Sequence, residues 1–527
     1  MTRPVLGIDL GTTYSCVAAL DENQRVSVLP NQEGDLTTPS VVFFEPTGNV
    51  TVGRFAKNEL KREPDRVVAL IKRHMGEDGF TVEIDGRQRY PQEVSALILR
   101  QVTEDALGVL GVEVPADGPL ADVVITVPAY FGAAERQATR DAGEMAGLNV
   151  LNIVNEPTAA AIAYGLVASG DGAERTVLVY DLGGGTFDVT IITVSPTEIR
   201  VVATGGDARL GGADWDARLV DLVCEKFAEQ HPGSDPRMDL DASGSLEIFA
   251  EEAKKGLSRR DTYADTIVAD GQRARIEITR KEFEEATADL IARTLDFTRD
   301  VLGSAAKKGV TTIDELLLVG GMSHSPAVKQ RLVEEFPDLP TPQLADPDQI
   351  VAKGAALFAA SSVAETGGET SPVAGLPGKR SLPKIVNVTS KGYGAAVVRD
   401  PNRPDDDDLV VAWLIRPNDE IPAAPRDIFR TVHDGQRRVV ITVYESKTDV
   451  LSDELEDNLN LVEGELVGLP ENQRAGQPIE VSFNLGGDGI LRITAVASNG
   501  KELTLQAKIS GLVPEEVKRA PLPHLQR

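Results

Sequence analysis

Two segments of the chain place an aspartate ahead of glycine and threonine in the same way, an arrangement suited to holding phosphate. In each, an apolar run leads into a tight turn, and apolar residues follow the turn. The first turn reads Asp9-Leu10-Gly11-Thr12-Thr13-Tyr14 and the second Asp181-Leu182-Gly183-Gly184-Gly185-Thr186-Phe187-Asp188. Glycine permits positive φ and brings backbone N–H groups close to a ligand. An aspartate at the end of a strand can hold a metal ion through its water shell. Two such turns facing each other would bind a metal-bound polyphosphate from both sides.

The chemistry that such turns serve is phosphoryl transfer, which needs a metal, a cation and a group that orients water. Asp9 and Asp181 are candidates for holding Mg²⁺ through water, and Lys72 is a candidate for neutralising the transferring phosphate. Glu156, at a predicted helix start, is a candidate for orienting or deprotonating the attacking water. Taken singly, each of the four would more often be a turn, cap or solvated residue, so the duplicated turn carries the prediction. Neither a P-loop nor a strand-to-helix Gly-x-Gly-x-x-Gly motif is present, which excludes those nucleotide-binding classes.

The elements that must position these residues form an α/β domain followed by an all-β module. Strand-like and helical runs alternate from residue 2 to about residue 363, as in α/β proteins. A stretch rich in Gly, Pro and Ser follows, and beyond it alternating runs flank the hairpin turn Gly486-Gly487-Asp488-Gly489. We predict an ATPase-like domain at 1–364, a flexible linker at 365–383, a β-sandwich domain at 384–512 and a short tail at 513–527.

Composition narrows the class of partner. The 527 residues carry a formal net charge of −28, which argues against nucleic acid or an anionic membrane as the main partner. Cys16 and Cys224 are the two cysteines, so a reducing compartment fits. The sequence shows no leader and no apolar stretch long enough to span a bilayer, and it predicts a soluble, cytoplasmic protein.

The chain resembles the 70-kDa heat-shock (DnaK-type) chaperone family, a member of the actin-like ATPase fold with duplicated subdomains. Besides the two turns, the resemblance rests on motifs spread along the first domain: Ile125-Thr126-Val127-Pro128-Ala129-Tyr130-Phe131, Asn155-Glu156-Pro157-Thr158-Ala159-Ala160-Ala161, Leu318-Val319-Gly320-Gly321 and Asp346-Pro347-Asp348. The β module is similar to the family's peptide-binding β-sandwich between residues 413 and 509. These motifs are long and ordered, so the family is identified securely.

The resemblance implies ATP or ADP with Mg²⁺ as cofactors and gives roles to particular residues. Lys72, Glu156, Asp181 and Thr186 are implied in hydrolysis, and Asp9, Asp181, Asp188 and Glu156 in organising Mg²⁺, mostly through water. Phosphate contacts are implied for Gly11, Thr12, Thr13, Tyr14, Gly183, Gly184 and Gly185. A nucleoside pocket is implied for Gly211, Gly212, Glu251, Lys254, Ser258, Gly320, Gly321, His324 and Asp348. Pro128 and Arg136 match positions that relay the nucleotide state to the other domain.

One of these positions departs from the family, because His324 stands where an adenine-stacking arginine is usual. Imidazole can stack but lacks a permanent charge, so we expect nucleotide binding that is retained and weaker. The alternative is that His324 merely borders the pocket.

The β module also departs from the family. Val432 and Val439 match positions of the peptide pocket, although valines in such a module are usually core. The family's linker is replaced by a longer one, in which Leu382, Ile385 and Val386 are candidates for its apolar docking. Residues 405–408 form an acidic run beside the predicted cleft, and no helical lid is expected before Arg527.

The leading hypothesis is an ATP-hydrolysing chaperone whose nucleotide state controls the binding of unfolded or extended polypeptides. Its implied helpers are a J-domain co-chaperone and a nucleotide exchange factor, with no nucleic acid and no membrane among its partners. The alternative is a nucleotide switch or adaptor for one dedicated partner, motivated by the altered linker, the acidic loop and the missing lid. A filament former or small-molecule kinase of the same fold is a weaker third hypothesis.

Overall fold

The first lobe, residues 3–168, is built on a mixed sheet that carries the first phosphate turn. The computed structural model describes residues 3–23, 25–168, 173–344, 346–365, 383–400, 408–448, 450–470, 472–506 and 513–526. The sheet has the strand order β11-β10-β1-β2-β3, with β4 paired to β2. Its strands are β1 (Val5–Asp9), β2 (Tyr14–Leu20), β3 (Val26–Leu29), β4 (Thr38–Pro39), β10 (Asp122–Val127) and β11 (Asn149–Asn155). Smaller sheets and helices surround it: β5 (Val42–Phe44), β6 (Val50–Val52), β7 (Val67–Val68), β8 (Val82–Ile84), β9 (Arg87–Arg89), α1 (Arg54–Asn58), α2 (Pro91–Val109), α3 (Ala133–Met145) and α4 (Glu156–Ala168).

The second lobe, residues 173–365, repeats this arrangement. Its sheet runs β18-β17-β12-β13-β14, so the hairpin β12-β13 occupies the place of β1-β2, and the parallel neighbour β17 the place of β10. The elements are β12 (Arg175–Leu182), β13 (Phe187–Val194), β14 (Glu198–Asp207), β15 (Thr262–Ala269), β16 (Gln272–Thr279), β17 (Glu315–Val319), β18 (Gln343–Leu344), α5 (Gly212–Gln230), α6 (Leu240–Leu257), α7 (Arg280–Ala286), α8 (Ala288–Lys307), α9 (Pro326–Glu335) and α10 (Ile350–Glu365). The predicted duplication is therefore visible in strand order.

Helices α4 and α10 join the lobes through a close, alanine-rich contact. Both helices belong to one apolar cluster with residues from the two sheets, including Val124 and Val179. A Cβ at Gly354 would lie 1.7 Å from the carbonyl oxygen of Ala159, so glycine is needed where the helices cross. Each of the two lobes joined here contributes one phosphate turn.

The β module consists of two four-stranded antiparallel sheets packed on a shared core. Their orders are β21-β20-β24-β25 and β23-β26-β27-β28, and large buried side chains such as Phe483 and Tyr393 fill the space between them. The strands are β20 (Tyr393–Val398), β21 (Leu409–Ile415), β23 (Arg426–Arg430), β24 (Arg438–Ser446), β25 (Asn458–Val467), β26 (Pro478–Leu485), β27 (Leu491–Ala497) and β28 (Glu502–Gln506). The predicted hairpin around residues 486–489 joins β26 to β27.

The chain enters the β module through the sheet of the second lobe. Strand β19 (Lys384–Val388) pairs in parallel with β14, and β22 (Glu420–Ile421) pairs with β19. Val386 is buried and Ile385 packs against the cluster between the lobes, as predicted for apolar docking. Two predicted features lie partly outside the described residues: the linker at 366–382, which includes Leu382, and the acidic run at Asp405, Asp406 and Asp407.

Helix α3 is the main surface of the first lobe against which the β module rests. Glu445 of β24 accepts a hydrogen bond from the backbone N–H of Ala133, 3.1 Å away, at the N-terminus of this helix. Arg140 forms an ion pair with Asp488, 3.3 Å away, in the turn between β26 and β27. Ala133 and Ala134 belong to the core cluster of the β module itself.

Residues 513–526, here called the strap, return from the β module to the first lobe. The short helix α11 (Glu515–Lys518) places the Lys518 ammonium 2.7 Å from the carboxylate of Asp141 on α3. Leu525 is 5% exposed within the core of the first lobe. Val50 of β6 donates to the His524 carbonyl at 3.0 Å and accepts from the Gln526 N–H at 2.8 Å, so the strap adds a one-residue parallel bridge. From the sequence we predicted only a short tail at 513–527, with no indication of this attachment.

No helix among the described residues is both long and apolar enough to cross a bilayer.

Candidate functional site

The two phosphate turns, one from each lobe, contact each other, and their glycines make that contact possible. Asp9 ends β1 and lies opposite Cys16, while Asp181 in β12 lies opposite Asp188 in β13. A Cβ at Gly184 would lie 2.0 Å from the Thr13 hydroxyl, and a Cβ at Gly185 would lie 2.3 Å from the Thr12 methyl group. Larger residues would therefore separate the turns. The sequence prediction that they face each other agrees with this geometry.

Four carboxylates and one lysine converge beside these turns. Lys72, in a short helix of residues 71–74, donates to Glu156 at the start of α4 over 2.7 Å, and both side chains are buried. Burial, reinforced by the charge of Glu156, raises the pKa of Asp9 to about 7. The pKa of Asp181 lies well above its ordinary value, because of burial and then the charges of Glu156 and Asp188. The negative charge of this cluster exceeds what one lysine can offset.

Neighbouring groups orient the acids. Thr126 of β10 donates its hydroxyl to Asp9 over 3.1 Å. The backbone N–H of Ala129 donates to Asp188 over 3.0 Å, although burial still raises the pKa of Asp188 well above its ordinary value. The ring of Phe131 lies 5.6 Å from the Lys72 ammonium. All three neighbours belong to the motif from Ile125 to Phe131, on which the family resemblance partly rests. The resemblance did not imply a role for Thr126 or Phe131.

The donor set fits a hard divalent cation held largely through water. Carboxylate oxygens are what Mg²⁺ prefers, and Mg²⁺ usually keeps several of its waters. Within the described ranges, no three His, Cys, Asp or Glu side chains come close enough to hold a metal ion directly. A hydrated Mg²⁺ among Asp9, Asp181 and Asp188 would favour their ionised forms, against the burial and then the neighbouring negative charges that raise their pKa values.

The predicted nucleoside pocket lies where α6 meets the first lobe. Glu251 accepts a hydrogen bond from the Tyr14 hydroxyl at 2.8 Å and forms ion pairs with Lys57 and with Lys255, the latter at 2.7 Å. Although burial opposes ionisation, the two ammonium groups hold the pKa of Glu251 at about 2. The Tyr14 side chain thus points to Glu251, whereas the resemblance implied phosphate contact. Lys57 was missed because a lone lysine in a short helix gives no sequence signal.

The remaining pocket residues lie on the second lobe. Lys254 donates to the Gly212 carbonyl at 2.9 Å and to Asp216 at 2.6 Å, facing away from Lys255. Ser258, one residue beyond α6, donates its hydroxyl to the Lys254 carbonyl. Gly211 lies against the backbone of Gly185, where a Cβ would come within 2.5 Å. Of the predicted pocket residues on α6, Glu251 therefore contacts the first lobe, whereas Lys254 contacts α5.

Gly320, one of the predicted nucleoside-pocket residues, lies directly beside the acidic cluster. A Cβ at this residue, whose φ is 82°, would lie 2.5 Å from the Asp181 carboxylate. Gly321 lies next to Asp348, and His324 lies 3.3 Å from the Asp348 carboxylate. His324 and Asp348 are both about half exposed.

A continuous series of contacts leads from the acids to the β module. Ala129, bound to Asp188, follows Pro128 in the loop before α3. Arg136 donates to the Asn155 side chain at 2.6 Å and to the Phe131 carbonyl at 2.9 Å, and it reaches the Asp488 carbonyl at 3.5 Å. Pro128 and Arg136 thus lie where a relay would need them. The relay itself stays a prediction.

Fold and site together define an actin-like ATPase joined to a β-sandwich module. A family model described as "Hsp70 protein" matches residues 5–373 and 405–520. The chain belongs to the Hsp70 family, whose members bind ATP or ADP with Mg²⁺ and hydrolyse ATP as chaperones. The recognition and the fold class inferred from the motifs are confirmed.

Relatives in Thermotoga and Thermosipho match almost the whole chain. The "Chaperone protein DnaK" of Thermotoga neapolitana is 40% identical over 526 residues, covering 98% of this chain and 82% of the relative. The protein of the same name from Thermosipho melanesiensis is 39% identical over 508 residues, covering 95% and 79% respectively.

Proposed function

We propose that this chain is an ATP-dependent chaperone in which the cluster of Asp9, Lys72, Glu156, Asp181 and Asp188 carries out hydrolysis. The observation that carries the proposal is the convergence of these groups on two phosphate turns that touch each other. Lys72 offsets charge on the transferring phosphate, and Glu156 orients the attacking water. Mg²⁺, when bound, neutralises charge on the phosphates. Thr186, buried beside the turn, presents its hydroxyl to the terminal phosphate.

We propose that the β module binds unfolded or extended polypeptides, with ATP hydrolysis controlling that binding. Support comes from the docking of β19 on β14 and from the contacts of Arg136 and Arg140 with the turn at Asp488. These contacts join the nucleotide lobes to the β module on both sides. Val432 and Val439, both half-buried, are proposed to line the peptide pocket. J-domain and exchange-factor partners, a cytoplasmic location and the division at residues 364 and 384 belong to the same proposal.

The test is steady-state ATP hydrolysis by the full chain during titration with an unstructured, apolar peptide. The expected result is basal turnover that the peptide accelerates. Lys72→Ala is expected to abolish turnover while retaining ATP binding, and Lys281→Ala, an exposed lysine of α7, serves as its matched control. A flat response with intact basal turnover would favour the dedicated adaptor. Unchanged turnover in Lys72→Ala would exclude the catalytic assignment.

A further inference from the structure

The second phosphate turn contains three consecutive glycines, which have no side chains that could fix the shape of the turn. Each of the three carbonyl oxygens accepts a hydrogen bond from elsewhere. Gly183 accepts from the N–H of Gly212 at 3.0 Å, and Gly184 accepts from the N–H of Ala213 at 2.8 Å. Both donors belong to the first turn of α5, within the same lobe. The third carbonyl, that of Gly185, accepts from the Arg73 guanidinium at 3.0 Å, and Arg73 belongs to the opposite lobe.

Arg73 is held in this position by a second set of contacts. It follows Lys72 directly, and its side chain is 15% exposed. The guanidinium also donates two hydrogen bonds to Asp214, at 2.5 and 3.3 Å. The Asp214 carboxylate in turn accepts from the Gly211 N–H at 2.8 Å, at the start of α5. One planar, permanently charged group therefore binds both the turn and the helix end that supports it.

We infer that Arg73 is a positioning residue that sets the second phosphate turn against the first. The Gly185 carbonyl and the Thr186 N–H share one rigid peptide plane, so fixing the carbonyl fixes the direction of that N–H. Because Arg73 belongs to the first lobe, the turn takes this geometry only when the lobes are closed. Closure is thereby linked to the alignment of the groups around the terminal phosphate. This inference rests on the proposed site of hydrolysis.

The expected effect falls on turnover more than on nucleotide binding, because misplacing a catalytic group by about 1 Å can cost about 100-fold in rate. Arg73→Met is expected to slow single-turnover ATP hydrolysis at least about tenfold. Its ADP dissociation constant should stay close to that of the unaltered chain. Arg73→Lys keeps one charged donor and should recover part of the rate. Asp214→Asn, which keeps an acceptor and loses the charge, should give an intermediate loss.

The experiment compares these three variants with Arg62→Met, an exposed arginine of the first lobe that pairs with Glu59. Active sites are titrated so that unfolded molecules do not count toward the rate. A normal rate per active site in Arg73→Met, or equal losses in Arg73→Met and Arg73→Lys, would overturn the inference. Lys72→Ala is measured alongside: if it is as active as the unaltered chain, the proposed hydrolytic site fails. If only Lys72→Ala is inactive, the role of Arg73 alone fails.

Discussion

The two phosphate turns can contact each other only because their glycines lack a Cβ atom. Gly184 has no room for a side chain, because a Cβ would lie 2.0 Å from the Thr13 hydroxyl. Gly184→Ala should push the turns apart at an overpacking cost of about 1–3 kcal/mol. Titration calorimetry should then show ATP binding that is weaker by roughly 5- to 150-fold, since 1.4 kcal/mol is about tenfold. Gly303→Ala in α8, where a Cβ meets nothing within 4 Å, should bind ATP normally. Equal affinities in the two variants would mean that the contact is dispensable.

At this scale the sequence indicated the acids and Lys72, which pairs with Glu156, but it gave no sign of Arg73 or Lys57. Asp9 and Asp181 lie in strands and Glu156 begins a helix, all within repeated or recognisable motifs. Arg73 and Lys57 stand outside any pattern, and their partners Asp214 and Glu251 lie 141 and 194 residues away. Only the folded chain brings such pairs together.

Helix α3 shows how one element responds to pH through a distant residue. Glu445 binds the N-terminus of α3 next to Glu135, Lys391 and Tyr393. Burial and then the charge of Glu135 raise the pKa of Glu445 from 4.5 to about 7. The folded, docked state therefore holds a proton that the unfolded state releases earlier. Stability contributed by this contact is complete below pH 4.5, falls as the pH rises toward 7 and is constant above that.

Denaturant unfolding between pH 4.5 and 8 tests this dependence. Relative to Glu445→Gln, the unaltered chain should lose up to roughly 1.4 kcal/mol for each pH unit between the two pKa values. The matched control is Glu463→Gln on the neighbouring strand β25, where the glutamate is exposed. The free energy of unfolding of Glu463→Gln should depend on pH as that of the unaltered chain does. If Glu445→Gln also shows the pH dependence of the unaltered chain, the assignment to Glu445 is wrong.

Elements were easier to predict than their contacts. Period-two alternation located the hairpin β26-β27, and the alternation of strand-like and helical runs predicted an α/β domain with helices such as α3. Neither pattern indicates that the turn at Asp488 lies against α3, because both ends of that contact look like ordinary polar surface. In the sequence, the only indication of strand β19 was that Ile385 and Val386 were candidates for apolar docking of the linker.

For the whole molecule, the strap offers the clearest test of the described arrangement. Leu525 is buried in the core of the first lobe, so Leu525→Ala should weaken the strap by about 2–5 kcal/mol. Hydrogen exchange of the Val50 amide, which donates to the His524 carbonyl, should then accelerate roughly 30-fold or more. Leu110→Ala, at a 40% exposed leucine of the same lobe, should leave that amide unchanged. Exchange at Val50 that is equal in the two variants would contradict the attachment.

The strap and strand β19 hold opposite ends of the β module's sequence to different lobes of the ATPase. The attachment is therefore bivalent. When one connection opens, the other keeps its partner at an effective concentration in the millimolar range, a typical value for short linkers. Complete separation requires both connections, as well as the contacts of Glu445 and Asp488 with α3, to be open at the same moment, so it is rarer than the opening of either end. The β module can thus loosen often, through either end, while escaping rarely.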